Sequence, residues 1–580
     1  MFYVLPIWFL KPLVVAWCRS IAMFSFLEFY FFFSINVLSL CGSKMVKSGC
    51  YEVVIFYTFI FNIKDGCTSP KKHSPAHELF YGSFHIKNIK FCYKTYYKMN
   101  RGCFSLRTMS LFILFVTSFS VSVVSAKSAF SALETFLKTP ELSCANVGIL
   151  VQNIDNHKVV ISYQPDKVLI PGSNFKLITT AAALTILGPT FRFETPLEYD
   201  GTIDSQGILH GNIYIVGKGD PTIGSEFFPS DHFIQNWINA VQKLHIRSID
   251  GKVIADVSAF DSEVIPPDWV WEDMGNYYAA GVYGLSLNDN MYRLTFQTDS
   301  VGTTPKIINR SPDYHSMIFH NELKASSNPA DLSYLHGAPF SYERTITGTI
   351  PANRSSFVIK GDLPNPPLAL AGYFTDQLKK AGIYVSGDPT DSLPTTSHQR
   401  ILFYTQYSPE LSEIINITNH DSNNLFAEHI FKQLAFTQFS VATRQEATLI
   451  LKKFWASHQF DTTTLFVEDG SGLSPFDGVS PEFFVHLLIF MRHDNPYGNL
   501  FFQSLPIAGE NGTLRNFLAN SPLTGKVFAK SGSIKRVLCY SGYIHFSNAK
   551  EYAFSIMVNN FYGSPTVVKK AIEKLLLSLQ

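Results

Sequence analysis

Cysteine is what this 580-residue chain runs short of once its first fifth is past. Of its eight cysteines, six lie at or before Cys103, and beyond that point only Cys144 and Cys539 remain. Two thiols cannot staple so long a stretch, so the downstream chain must rest on its hydrophobic core. Two free buried thiols are the expected state, with a bridge between them left open. Charge of one sign is missing as well. The formal net charge is +1, which argues against a nucleic-acid binder, since phosphate backbones are met by a basic surplus. Metal-ligand spacing is also absent. His73 and His77 stand four apart, but Pro75 between them breaks the helix that would align them, so no metal and no cofactor are expected.

What is present is unevenly spread. Residues 1–98 are rich in Phe, Tyr, Lys and Ile without clean periodicity or caps, and the apolar stretch 20–41 carries Glu28 in its middle, which blemishes a membrane-span reading. A clearer signal follows. Arg101 and Arg107 precede the apolar run that starts at Leu111, and the run ends in Val124-Ser125-Ala126. Basic flank, short apolar core and small-residue end describe a secretory signal peptide over 99–126, with cleavage after Ala126. Met99 or Met109 would be its natural start, so residues 1–98 read as an extension outside the mature protein. A one-helix membrane anchor is the rival.

The downstream chain is organised around Ser173, in Pro171-Gly172-Ser173-Asn174-Phe175-Lys176. Pro171 and Gly172 close an extended segment, and a helix-permissive run follows until Gly188-Pro189. Ser173 then falls at the N-cap or in the first turn, with Lys176 one turn on along the same face. A serine hydroxyl needs an adjacent base to act as a nucleophile, and a lysine with a depressed pKa can be that base. The helix N-terminus adds N–H groups where an oxyanion would form. Ser-x-x-Lys alone is a cheap pattern, since Ser69-Pro70-Lys71-Lys72 also fits. Order lifts Ser173 above it: Ser422-Asn423-Asn424 and Lys530-Ser531-Gly532 follow, the sequence of elements that serine–lysine acyl-transfer enzymes require. Ser34-Ile35-Asn36, Ser286-Leu287-Asn288 and Lys47-Ser48-Gly49 are decoys, the early ones in the wrong order. Ser422 and Asn424 also suit the bland role of capping the helix that starts at Leu425. Glu468 and Asp469, adjacent on a glycine-rich loop, do not face each other across a bond and so make no glycosidase pair.

Periodicity places a short helix over 128–137, strands over 145–152 and 158–163, three more strands over 524–530, 537–545 and 551–559, and a closing helix. These describe one α/β (α+β) catalytic unit split into 127–205 and 396–580. The stripe Val568, Ala571, Ile572, Leu575, Leu576 and Leu579 packs the closing helix on the sheet. A peripheral membrane contact through it stays open, because Lys569, Lys570 and Lys574 flank the stripe. Ser173 and Ser422 lie 249 positions apart. Strands at 213–216, 252–256 and 292–297 and a Pro/Asn/Ser-rich stretch at 310–368 make the interval a β-leaning insertion over 206–395, with a nested module near 300–360. Gly217-Lys218-Gly219-Asp220-Pro221 lacks the third glycine of a dinucleotide loop and reads as a structural turn.

Taken together, these blocks resemble the class C low-molecular-mass penicillin-binding proteins, the D-alanyl-D-alanine carboxypeptidase/endopeptidase family. The resemblance covers most of 127–580 and includes Gly219-Asp220-Pro221, Pro267-Asp268-Trp269, Asn288-Asp289-Asn290, Asp469-Gly470-Ser471-Gly472 and Gly512-Thr513-Leu514-Arg515. Lys-Ser-Gly stands where the family usually has Lys-Thr-Gly, and Ser-Asn-Asn where many members have Ser-Asp-Asn. The resemblance implies a serine β-lactamase/DD-transpeptidase-like fold: a five-stranded antiparallel sheet flanked by helices, with the large insertion between the first two motifs. It implies an exported enzyme that trims peptidoglycan and is acylated by β-lactams. In that scheme Ser173 is the nucleophile, Lys176 the base, and Lys530 a second cation that keeps Lys176 partly neutral. Ser422 relays a proton, and Asn424 orients Lys176 and the substrate. Lys530 and Ser531 take the terminal carboxylate, and Gly532 lets the ligand approach. The N–H groups of Ser173 and Ser533 form the oxyanion hole. A β-lactamase or esterase on the same fold, or a silent peptidoglycan-binding protein, are the alternatives. Oligomeric state is not legible.

Overall fold

The computed structural model describes residues 131–579 apart from 230–231, 314–315, 396–397 and 547–549, together with four strands further upstream. Upstream, Ile35–Asn36 pairs with Phe56–Tyr57, and Leu79–Ile86 with Ile89–Tyr96, all antiparallel. The second pair is a hairpin with a two-residue connection, an element that the composition of 1–98 did not announce. The expected signal peptide at 99–126 and the His73/His77 pair lie outside the described residues, as do Ser69–Lys72 and Lys47–Gly49. Among the described residues no helix is long and apolar enough to cross a membrane.

One antiparallel sheet joins the two ends of the described chain. Its strand order is Val527–Ile534, Val537–His545, Glu551–Asn559, Asn146–Asn153, Val159–Tyr163. Asn146–Asn153 runs along Glu551–Asn559 from the pair Asn146/Asn559 to the pair Asn153/Tyr552. Both strands are buried on both faces, and their side chains alternate between two cores. Val147, Ile149, Val151, Phe554, Ile556 and Val558 meet the closing helix Pro565–Leu577 through Val568, Ile572, Leu575 and Leu576. The closing helix therefore spends its stripe on the sheet, at about 1.5–3 kcal/mol for each large side chain buried. Leu150, Ala553 and Met557 face the other core, with helices Lys176–Leu187, Asn424–Phe436 and Pro481–His493. Lys176–Leu187 is apolar almost all round and buried from Lys176 to Leu184, as a helix at the centre of a domain must be. Gly188, at φ +83°, ends it.

Between the first two motifs the chain builds further sheets. One has the order Val253–Asp256, Ile213–Val216, Glu194–Tyr199, Ile401–Tyr407. Glu194–Tyr199 and Ile401–Tyr407 pair with each other over most of their length. Boundaries at 206 and 395 thus cut through one sheet, and the insertion's strands begin and end outside them. A pairing across some two hundred positions leaves no local trace in sequence. The insertion also holds two helices, Phe233–Lys243 and Pro366–Lys380, so its character is mixed. Strands over residues 291–362 build two further sheets around a small core of their own. Met291–Thr298 lies between Lys306–Ser311 and Arg354–Asp362, and Glu343–Pro351 gathers three more strands. Tyr292, Leu294, Phe296, Leu323, Ile346 and Ile359 fill that core. Cys144 and Cys539 are both free, but Cys144 is exposed, not buried as expected.

Candidate active site

Ser173 sits in a 3-10 turn, Gly172–Phe175, that runs straight into helix Lys176–Leu187. The capping position falls to Pro171, so Ser173 is not spent as a cap. Gly172 has φ +52°, and a Cβ there would lie 3.0 Å from Ser533 N, so glycine allows the edge strand of the sheet to close on the turn. Three residues beyond Ser173, Lys176 is fully buried, and its Nζ donates to Ser173 Oγ at 3.0 Å, to Asn424 Oδ1 at 2.5 Å and to the Ser471 carbonyl at 2.7 Å. Burial pushes this amine down to about 7, while the negative charges of Asp469, Glu428 and Asp477 pull it back up.

The second motif lies in the turn between helices Leu411–His420 and Asn424–Phe436. Ser422 adopts φ +60°, a left-handed conformation that turns the chain toward the site. Capping belongs to Asn423, whose side chain accepts from Phe426 N at 3.0 Å. Ser422 and Asn424 are thereby free for other partners, and the capping reading of those two residues falls. Asn424 Nδ2 donates to the Tyr278 carbonyl at 2.8 Å, which leaves its oxygen for Lys176.

The third motif lies on the edge strand Val527–Ile534, which extends past the expected end at Lys530 and carries Ser531, Gly532 and Ser533 within it. Lys530 is buried, and its Nζ donates to Ser422 Oγ at 2.9 Å and to the Ser531 carbonyl at 2.7 Å. Burial, and then the charge of Lys176, hold its amine well below the usual lysine range. A Cβ on Gly532 would lie 2.2 Å from the Pro171 carbonyl, so this strand rests directly on the serine turn. Ser173, Lys176 and Asn424 form one hydrogen-bonded group and Ser422 and Lys530 a second, with Ser531, Gly532 and Ser533 on the strand that carries Lys530.

The loop 468–477 is the part whose role sequence reasoning missed. Asp469 Oδ1 accepts from Ser471 N at 3.0 Å and Gly472 N at 2.6 Å. Its Oδ2 accepts from Ser474 N at 2.7 Å and from Trp269 Nε1 at 2.9 Å. Asp477 Oδ1 accepts from Glu468 N at 2.8 Å, and the Glu428 carboxyl accepts from Gly470 N at 3.0 and 3.1 Å. A Cβ on Gly472 would lie 2.0 Å from the Gly172 carbonyl, so this loop also packs on the serine turn. The result is a pinned loop that presents the Ser471 carbonyl to Lys176. An aspartate ahead of Gly-Ser-Gly is the signature of a side chain folding back on its own backbone, and that signal was available. Glu468 turns away to Arg444, at 3.1 Å, so it and Asp469 form no facing pair.

The insertion reaches this cluster through Trp269 and the Tyr278 carbonyl. Its Gly219-Asp220-Pro221 turn is structural: Asp220 Oδ1 accepts from Thr222 N at 2.8 Å and from Thr222 Oγ1 at 2.7 Å. The Gly219 carbonyl accepts from His429 Nδ1 at 2.9 Å, and burial pushes that imidazole down to about 3. No group of three or more metal-ligating side chains occurs among the described residues.

Residues 129–579 match the model of the D-Ala-D-Ala carboxypeptidase 3 (S13) family. A D-alanyl-D-alanine carboxypeptidase of Actinomadura sp. is 28% identical over 455 residues, covering 76% of this chain and 82% of the relative. The D-alanyl-D-alanine carboxypeptidase DacB of Haemophilus influenzae is 25% identical over 428 residues, covering 73% and 87%. The crystal structure of penicillin binding protein 4 (dacB) from Haemophilus influenzae superposes with a TM-score of 0.64 at 23% identity, over 75% of this chain and 96% of that one. The five-stranded antiparallel sheet with its flanking helices is thus the penicillin-binding-protein fold. Because the family model runs from before the first strand of that sheet through the closing helix, the chain belongs to the D-Ala-D-Ala carboxypeptidase 3 (S13) family of serine peptidases.

Proposed function

We propose that Ser173 is the nucleophile of a serine-type D-alanyl-D-alanine carboxypeptidase and D,D-endopeptidase acting on peptidoglycan stem peptides and cross-links. One observation carries this reading. A fully buried lysine amine, held near neutrality by its surroundings, donates to the Ser173 hydroxyl at 3.0 Å and is fixed by two further acceptors. In its free-amine form Lys176 takes the Ser173 proton as Oγ bonds to the carbonyl carbon between two D-alanines. Backbone N–H groups of Ser173 and Ser533 receive the oxyanion. Ser422, linked to Lys530, passes a proton to the departing amine as the C–N bond breaks. Water then hydrolyses the ester and regenerates Ser173. Asn424 holds Lys176 in place, and Lys530 and Ser531 take the terminal carboxylate of the substrate, with Gly532 allowing its close approach.

Beyond the chemistry, export to the periplasm or cell envelope with processing after Ala126 is supported by the order of basic, apolar and small residues over 101–126. We assign the insertion to about 194–407, with the smaller β-unit at 291–362, on the strand pairings already described. β-Lactams carry a strained amide in place of the scissile bond, and the Haemophilus relative's name as a penicillin-binding protein supports their acylating Ser173. Mass spectrometry after incubation with penicillin tests the assignment. A penicilloyl adduct on Ser173 is expected; Ser173→Ala abolishes it, and Lys176→Ala slows it by about 10²–10⁴-fold. An adduct on Ser422 or Ser471 with Ser173 unmodified would overturn the assignment. The products of a peptidoglycan digest separate carboxypeptidase from endopeptidase activity.

A further inference from the structure

Lys176 has more negative charge behind it than the acylation chemistry uses. Glu428, Asp469 and Asp477 are all buried, and each raises the affinity of Lys176 for a proton. From the edge strand the facing charged group is Lys530, which acts the other way on the pocket. Two of the three acids have evident structural work. Asp469 is saturated by four N–H donors, and Asp477 accepts from Glu468 N and Asp469 N.

Glu428 differs. Its two oxygens share one backbone donor, Gly470 N. The other cations near its helix are engaged: Lys432 with Asp261, and Arg444 with Glu263 and Glu468. His429, the next residue, is neutral and faces the Gly219 carbonyl and Ser286. Lys176 is the cation whose charge acts on Glu428. A glutamine could accept from Gly470 N equally well, so hydrogen bonding alone does not account for an acid in so dry a place.

We propose that Glu428 is a positioning residue that tunes the base: it clamps Gly470 so that the adjoining Ser471 carbonyl holds the Lys176 amine, and its charge sets the pH at which that amine becomes free. This rests on Lys176 being the base for Ser173. As Ser173 Oγ bonds to the acyl carbon its proton moves to Lys176 Nζ, and a new positive charge appears in a pocket that already holds Lys530. A carboxylate behind Lys176 offsets that charge without touching the substrate. Burial first, and the charge of Asp469 second, raise Glu428, while the charge of Lys176 pulls it back down, so the two titrate as one coupled pair. Two groups so coupled lose their protons as a pair, and each shifts the other by the same amount.

The test is the rate of penicilloyl-Ser173 formation against pH, in the full chain and in Glu428→Gln. Glutamine keeps an acceptor for Gly470 N and removes only the charge. The acid limb of the profile is expected to move down by about one pH unit, with a lower plateau from the weaker base. An unmoved limb, or a rate reduced equally at every pH, would overturn the proposal and leave Glu428 a loop clamp. A wild-type chain that is not acylated at Ser173, or whose acid limb is unrelated to Lys176, would instead overturn the assigned mechanism. Should Glu428→Gln not fold, carboxyl-carbon NMR of the wild type and of Lys176→Met reads the same coupling from the other side. Loss of Lys176 is expected to raise the Glu428 midpoint, and an unchanged midpoint would refute the pairing.

Discussion

Gly532→Ala is the sharpest test of how the edge strand and the serine turn are fitted together. The added methyl would lie 2.2 Å from the Pro171 carbonyl, 2.9 Å from Asn174 N and 3.1 Å from Asn174 Oδ1, where ordinary contact begins at 3.4 Å. Two of these three atoms are backbone, so no rotamer change relieves the clash, and the strand must draw back by about 1 Å. Lys530, Ser531 and Ser533 move with it, while Ser173 and Lys176 stay on their helix. A displacement of that size costs on the order of 10²-fold in a reaction that depends on alignment, and overpacking costs about 1–3 kcal/mol of stability. The assay is the second-order rate of penicilloyl-Ser173 formation, followed by intact-mass spectrometry, beside a denaturant titration. Gly372→Ala is the control. It lies in helix Pro366–Lys380, where a Cβ meets only Pro389 Cγ at 3.9 Å. Alanine there is expected to leave acylation unchanged and to add up to about 1 kcal/mol of stability. If Gly532→Ala acylates within about threefold of the wild type, the fitted contact between strand and turn is not what aligns the site.

Lys530→Ala is expected to slow acylation by a β-lactam with a free carboxylate about tenfold more than acylation by its ester, since a charge-assisted contact is lost; equal effects on both would remove Lys530 from carboxylate binding. A second prediction concerns acid stability. His429 is held from 6.5 down to about 3 by burial, so below pH 6.5 the unfolded chain binds a proton that the folded chain refuses, and folding weakens as pH falls. Glu428, raised from 4.5 to about 8, slopes the other way over much of the same range, so the effect must be read as a difference. The stability of wild type minus that of His429→Gln is expected to fall by about 1.4 kcal/mol per pH unit below 6.5, measured by denaturant titration. A difference that is constant from pH 7 to 4.5 would show that His429 is not buried neutral.

Sequence alone singled out Ser173, Lys176 and the order of the three motifs, because each is a local pattern: a serine one helical turn from a lysine, a polar turn before an apolar helix, and a glycine in a strand. It determined the central strands for the same reason, since Val147, Ile149 and Val151 fall at every second position of a single run and so share one face. Periodicity also placed the closing helix on the sheet. Tertiary structure alone decided what surrounds the lysine. The Ser471 carbonyl meets Lys176 across 295 positions, and Asn424 meets it across 248. Only folding makes Asn423 the cap and leaves Ser422 for Lys530. The edges of the insertion were equally hidden, because Glu194–Tyr199 finds Ile401–Tyr407 through backbone hydrogen bonds that any side chains would permit. Local patterns survive in a sequence because neighbouring residues share one backbone. The burial that lowers a lysine's proton affinity, and the buried charges that oppose it, arise only when distant segments exclude water together.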